Sequence, residues 1–394
     1  MTELMKGFPP SPEGQVTLAN WRKPPFNRWA FQHVREIVPS ADIPHDPGAV
    51  RELPEALVDL SDLTVDTDRG KLSLDAFLED SFTDAMIVLH QGRIAFQHYA
   101  NGMTSATPHI LMSVSKSVLG LITGVAVDQG KLDPDALVTD HVPEVGSTAY
   151  TGATIRHLLD MRAGVSFDED YLATSGPIIQ YRKSTNWNPL EPGETASDLR
   201  AFYQTLTERD GEHGRPWHYV SPNPDLLAWV LERATGQRYA DLASELLWRR
   251  IGAAHSAYIT VDRLGAPRAA GGVCCTAPDL ARLGLMFAEG GNRVVSAERL
   301  DDIVAGGNPK AWAESTGFED YGQLPMRYRS QWYVLDRPSP LAFGIGIHGQ
   351  SIYVDRETGF VMVKFSSQPL PLDPTRKLPT LELAEKIRDR MAGP

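Results

Sequence analysis

Hydrophobic residues fall into two kinds of run along this chain. From Ala85, the run AMIVLHQGRIAFQHYANG sets two β-branched or aromatic stretches about His90, Gln91 and Gly92, which predicts a β-hairpin. SIYVDRETGFVMVKFSS repeats the form near the other end, with strands at Ser351–Asp355 and Phe360–Ser366 around a turn at Arg356–Gly359. Between the two hairpins the pattern turns helical. Ser113 to Gln129 is apolar on nearly every face and ends at Gly130, a residue suited to close a helix, so a buried helix is predicted there. Shorter helices are expected over TIRHLLDMRAG and ASDLRAFYQTLTERDG. SPNPDLLAWVLERATG opens on Ser221 and Pro222 and closes on Gly236, and TAPDLARLGLMFAEGG carries Thr276 as N-cap with Asp279 three residues on.

The order sheet, helices, sheet predicts an α/β (α+β) fold in which strands from distant segments share one antiparallel sheet flanked by helices, with a largely helical middle segment. Residues 1–50 are rich in Pro and polar residues, yet Trp21, Phe26, Trp29, Ala30 and Phe31 punctuate them. That density of aromatic anchors predicts an arm wrapped onto the body.

Composition narrows the classes. A chain of 394 residues, 42% hydrophobic, can bury a large core, which excludes disorder as its main state. The net formal charge of −12 argues against general nucleic-acid binding, which needs a surplus of cations to displace counterions. The only cysteines, Cys274 and Cys275, are adjacent, so neither a disulfide framework nor a Cys-x-x-Cys knuckle is available, and both are expected as small core residues. MTELMKGFPPSPEGQ lacks the apolar run of a signal peptide, and Leu119 to Val127 is too short to span a bilayer. The expectation is a soluble cytoplasmic protein with no membrane partner.

The chemistry concentrates at Ser113-Val114-Ser115-Lys116, heading the buried helix. Residues three apart on a helix are neighbours, so the Ser113 hydroxyl and the Lys116 amine can meet. A hydroxyl needs a base to become a nucleophile, and burial among Leu119, Gly120 and Ile122 would disfavour the ammonium and make Lys116 that base. A solvated lysine beside an N-capping serine is the bland alternative. His218-Tyr219-Val220-Ser221 precedes a helix, where Tyr219 either projects into a cleft as a proton carrier or is a core tyrosine. Gly344-Ile345-Gly346-Ile347-His348-Gly349 matches Gly-x-Gly-x-x-Gly, but a strand follows it instead of a helix, so a dinucleotide site is rejected. Glycines in a strand mark close backbone approach, which fits an edge strand lining a substrate cleft.

Ser-x-x-Lys on a buried helix, Tyr-x-Ser about 100 residues on, and a glycine-rich C-terminal strand together resemble the serine β-lactamase and penicillin-recognising superfamily. NRWAF, LMSVSKS, EDY, LAWVLERATG, GGVCCTAPDLARLG and GIGIHGQ resemble, more closely, the 6-aminohexanoate-dimer (nylon-oligomer) hydrolases, near family VIII carboxylesterases. The resemblance implies a β-lactamase-like fold, with residues 1–110 and 256–394 forming a discontinuous sheet domain and residues 111–255 a helical domain. It further implies Ser113 as nucleophile, Lys116 as base and Tyr219 as proton relay to the leaving group. Backbone N–H groups of Ser113 and Ile347 would form the oxyanion hole, and Tyr171 would reach the scissile amide.

Three departures bear on substrate. Gly344-Ile345-Gly346 stands where relatives that bind β-lactams carry Lys-Thr-Gly, which favours an esterase or amidase. Arg182 stands where good nylon-dimer hydrolases carry an acid, and Ala270 replaces a polar residue before Gly271-Gly272. An arginine repels an ammonium, so neutral acyl esters, or amides with an uncharged or acidic amine-side group, are the expected substrates. His348 is a further candidate for substrate contact. The expected reaction is hydrolysis of linear amides and carboxylic esters through an acyl-enzyme, with a small-molecule substrate and no metal or organic cofactor. A carboxylesterase or D-amino-acid peptidase with weak or no β-lactamase activity, and a sensor that acylates without turnover, stay open. So does a homodimer.

Overall fold

The computed structural model describes residues 3–315, 321 and 324–393. Its main sheet is antiparallel and draws on both hairpins: Arg93–Tyr99, Thr83–His90, Phe360–Ser366, Gln350–Asp355, Leu341–Gly346, Trp332–Leu335 and Met326–Arg329 lie side by side in that order. The two ends of the chain meet where Met362 pairs with Val88 and Val363 with Ile87. Alternation along Thr83–His90 explains why this strand sits inside. Ala85, Ile87 and Leu89 pack into one apolar cluster with Leu280 and Leu283 of the helix Ala277–Ala288. Met86 and Val88 pack into another, with Leu383, Ala384 and Ile387 of the C-terminal helix Pro374–Ala392. Both faces are covered, so no polar face is needed. Gly284 lets the first helix lie close, since a Cβ there would come within 2.5 Å of Val361.

A second antiparallel sheet pairs Ser40–Ile43, Ala257–Thr260, Val273–Cys275 and His109–Ile110. Cys274 and Cys275 are fully buried in it, and burial pushes both thiols upward, as befits core residues. The last of these strands leads directly into the buried helix, Val114–Asp128, whose end is followed by Gly130 at φ +68°. The N-terminal arm packs down as its aromatics require. Trp21 sits edge-on to Trp187 at 5.2 Å, and Asn27 Nδ2 donates to the carbonyls of Ser367 and Gln368 at 3.0 Å each.

One expectation is corrected. The helix expected over ASDLRAFYQTLTERDG is only Leu199–Phe202 plus a 3-10 turn, Tyr203–Thr205. Beyond it the carbonyls of Leu206 and Glu208 accept from Ala149 and Ser166 N–H, so tertiary pairing overrides the helical pattern. In the strand Leu341–Gly346, Ala342 and Phe343 are paired on both sides within the sheet, whereas Gly344–Gly346 pair only with Gln350–Ile352 among the described residues, which leaves the other edge of the glycine segment open toward the cleft, as expected. Its glycines serve a close approach of the chain's own buried helix: a Cβ on Gly344 would meet Ser117 Oγ at 2.5 Å. No helix among the described residues is long and apolar enough to cross a membrane.

Candidate active site

Ser113 sits at a forced corner. Leu111 N–H is held by the Val273 carbonyl at 2.8 Å, Met112 then takes φ +46°, and the helix begins at Val114. A left-handed methionine costs on the order of 1–3 kcal/mol, and the packed sheet and helix on either side hold it there. The Ser113 side chain does not cap the helix and is left to meet Lys116. Lys116, one turn on, is 2% exposed, and its Nζ donates to Ser113 Oγ at 2.8 Å and to the Ala270 carbonyl at 2.7 Å. Burial brings the amine down to about 7 from 10.5, against the pull of Glu169.

The Ala270 carbonyl is itself positioned. Ala270 N–H donates to Asp225 Oδ1 at 2.7 Å, and Asp225 also takes Arg268 and the Tyr181 hydroxyl. Asp225 lies in the helix Pro222–Thr235 that follows Tyr219. What matters at position 270 is therefore first the backbone, with the small side chain leaving room on the wall of the site. The sequence offered no way to single out Asp225, which is apolar-helix punctuation until the fold brings Ala270 to it.

Two tyrosines hang over the serine. The Lys116 Nζ lies 4.8 Å from the centre of the Tyr219 ring, and the Tyr219 hydroxyl is in hydrogen-bonding reach of Ser113 and Tyr171. Burial and the nearby Glu169 carboxylate push the Tyr219 phenol well up, so it stays protonated. Glu169 escaped the sequence reading although it stands in the same Glu-Asp-Tyr segment as Tyr171. It accepts from Tyr171 Oη at 2.9 Å and Ser221 N–H at 2.7 Å, and from the Ser221 hydroxyl, tying the two tyrosine loops together.

The glycine strand closes the other side. A Cβ on Gly346 would fall 2.7 Å from the Leu111 carbonyl and 2.9 Å from Ser113 N. Among the described residues, no protein acceptor takes up the N–H of Ser113 or of Ile347, and both residues line the same two recesses. His348 instead turns inward at φ +63°: its Nδ1 lies 2.7 Å from the Gln368 carbonyl, its ring packs edge-on to Phe31, and burial pushes it down to about 4, a neutral imidazole. One recess is aromatic, walled by Tyr171, Tyr219, Tyr333 and Ile345. The other holds Arg22, Arg182 and Arg268 beside Glu169, and Arg182 Nη2 donates to the Tyr171 carbonyl at 3.1 Å. Among the described residues no cluster of three or more His, Cys, Asp or Glu is arranged to hold a metal.

Residues 74–385 match the family model described as Beta-lactamase. The chain is 37% identical over 370 residues to the 6-aminohexanoate-dimer hydrolase of Paenarthrobacter ureafaciens, covering 92% of this chain and 91% of that one. Among solved structures, a Bacillus anthracis protein provisionally assigned as a 6-aminohexanoate-dimer hydrolase superposes with a TM-score of 0.85 at 24% identity, covering 96% of this chain and 99% of its own. EstCE1, a hydrolase with promiscuous acyltransferase activity, superposes with a TM-score of 0.60 at 16% identity, covering 80% of this chain and 96% of its own. The last two likenesses speak for the fold alone; with the family model and the 37% identical relative, they make this chain a member of the beta-lactamase family and a hydrolase.

Proposed function

We propose that this protein hydrolyses linear amides and carboxylic esters through an acyl-enzyme on Ser113. The observation that carries the reading is the Lys116 amine, buried and 2.8 Å from Ser113 Oγ, with its proton affinity lowered to about 7. A free amine accepts the Ser113 proton as Oγ attacks the carbonyl carbon. The oxyanion forms against the N–H groups of Ser113 and Ile347, which no protein group competes for among the described residues. Tyr219 Oη then donates its proton to the leaving nitrogen or oxygen and regains one from the Lys116 ammonium. Water repeats the cycle on the acyl-enzyme, releasing the acid. Because the Tyr219 phenol is held protonated, it suits donation to a poor leaving group such as an amine.

Linear amides are favoured by the 37% identical relative, a 6-aminohexanoate-dimer hydrolase. Mass spectrometry after a fluorophosphonate probe tests the nucleophile: wild type gains one adduct on Ser113, and Ser113→Ala gains none. Equal labelling of both, or none of either, overturns the assignment. A panel of nitrophenyl esters, linear amides, D-amino-acid peptides and β-lactams ranks the substrate classes, and a lasting adduct without turnover marks a sensor.

A further inference from the structure

The recess holding Arg22, Arg182 and Arg268 opens onto Ser113, and among the described residues Glu169 is the one carboxylate on its wall. Arg268 is neutralised by Asp225, and Glu169 is engaged by Ser221 and Tyr171. Arg22 and Arg182 differ: among the described residues neither has a carboxylate at ion-pair distance. Arg22 bonds the Asn188 side-chain carbonyl, and its guanidinium stands 5.5 Å from the Trp21 ring and 5.8 Å from that of Trp187, while its Nε is buried without a partner. Arg182 spends one nitrogen on the Tyr171 carbonyl. Burial and the facing guanidiniums disfavour the charge on both, Arg182 being helped by Glu169 and Asp170. Outward, the recess continues through Arg22, Arg182 and Ile347 into a cleft of about 750 Å³ that adds Lys23 and Lys183 against Glu191, with Lys183 held by Glu194. A protein of net charge −12 has thus placed beside its nucleophile two guanidiniums that, among the described residues, lack an ion-pair partner, Arg182 buried and Arg22 half-buried.

The side of the scissile bond follows from Tyr219. It walls the aromatic recess and not the arginine one, so the leaving group it protonates extends into the aromatic recess and the acyl chain into the other. We propose that Arg22 and Arg182 bind a carboxylate at the far end of the acyl chain, so that the preferred substrates are half-amides and half-esters of aliphatic dicarboxylic acids. Water adds across the acyl C–N or C–O bond, giving the free dicarboxylic acid and an amine or alcohol. The inference rests on the acyl-enzyme reading above and names its substrate class.

Mono-p-nitrophenyl esters of glutaric, adipic and pimelic acids, set against p-nitrophenyl esters of the matching monocarboxylic acids and of 6-aminohexanoate, change only the charge of the acyl end. For at least one chain length kcat/KM should favour the carboxylate over the neutral ester by about ten- to a hundredfold, mostly through KM, with the ammonium ester poorest. In Arg182→Gln and Arg22→Gln that ratio should collapse by about tenfold or more, Arg182→Lys should restore most of it, and Arg182→Glu should invert the order toward the ammonium ester. A mere loosening of the fold would lower all esters together and leave the ratio alone. Equal kcat/KM for neutral and carboxylate esters at every length, with Ser113 still labelled, overturns the anion site and leaves the hydrolase reading intact. A carboxylate preference found only on the leaving side, in N-hexanoyl-6-aminohexanoate against N-hexanoylhexylamine, overturns the acyl-side placement. No turnover and no Ser113 adduct with any substrate overturns both.

Discussion

The sharpest consequence of the buried lysine is a pH profile. At its ordinary 10.5, the Lys116 amine would be free base in only about one molecule in three thousand at pH 7; at about 7 it is free in half of them. Burial therefore disfavours the ammonium by about 5 kcal/mol and supplies a base about a thousandfold more available. The groups facing the amine are the Glu169 and Asp225 carboxylates, which favour its charge, and Arg268, which opposes it. For a neutral nitrophenyl ester, kcat/KM should rise with pH through a midpoint near 7 and then level off, since only the deprotonated amine accepts the Ser113 proton. No falling limb from Tyr219 is expected within the ordinary range, because burial holds that phenol protonated. Glu169→Gln removes the largest influence favouring the ammonium, so the midpoint should fall by about 0.5–1 pH unit, roughly 1 kcal/mol. The assay is initial rates from about pH 5 to 9, read at the nitrophenol isosbestic wavelength. A flat profile, a midpoint near that of a free lysine, or a midpoint that Glu169→Gln leaves unmoved would refute the reasoning.

Other outcomes follow from particular contacts. Tyr219→Phe should lower kcat/KM for a linear amide by about a hundredfold or more and for a nitrophenyl ester by about tenfold or less, because nitrophenolate leaves without a proton; equal losses would remove Tyr219 from leaving-group protonation. Gly346→Ala drives a methyl against the Leu111 carbonyl and Ser113 N, so thermal unfolding should fall by about 1–3 kcal/mol together with probe labelling of Ser113; an unchanged rate of labelling would mean the strand yields freely. Asp225→Ala strips the partner from buried Arg268 and frees the Ala270 N–H, and chemical denaturation should show a loss of about 3–5 kcal/mol, with a shifted Lys116 midpoint as the sign that the Ala270 carbonyl has moved. A loss within 1 kcal/mol, roughly that of a surface change, would contradict the role given to this ion pair.

Much of the architecture was legible because local pattern and tertiary environment agree. The β-branched and aromatic runs at Ala85–Tyr99 and Ser351–Ser366 have turn residues at their hinges, and both form hairpins in the sheet. Thr276 and Gly236 cap the helices they punctuate. Where the pattern misled, long-range bonding had the last word: Leu206 and Glu208 gave their carbonyls to distant loops in place of a longer helix.

At the site, the sequence by itself determined which groups are within one helical turn: Ser113 and Lys116 must share a face, because a helix has a fixed pitch. It also pointed to a buried helix, and so to an amine whose charge is disfavoured, since desolvation acts on any lysine that cannot reach water. What only the tertiary structure decided is every partner distant along the chain: Ala270 over Lys116, Asp225 under Ala270, Glu169 clasping Ser221, and Arg22 brought by the N-terminal arm to stand with Arg182. Charge shows why. The −12 of the sequence is a sum over the whole surface, whereas a substrate feels only the few charges within about a Debye length of the reacting carbonyl, and that local selection is made by the fold.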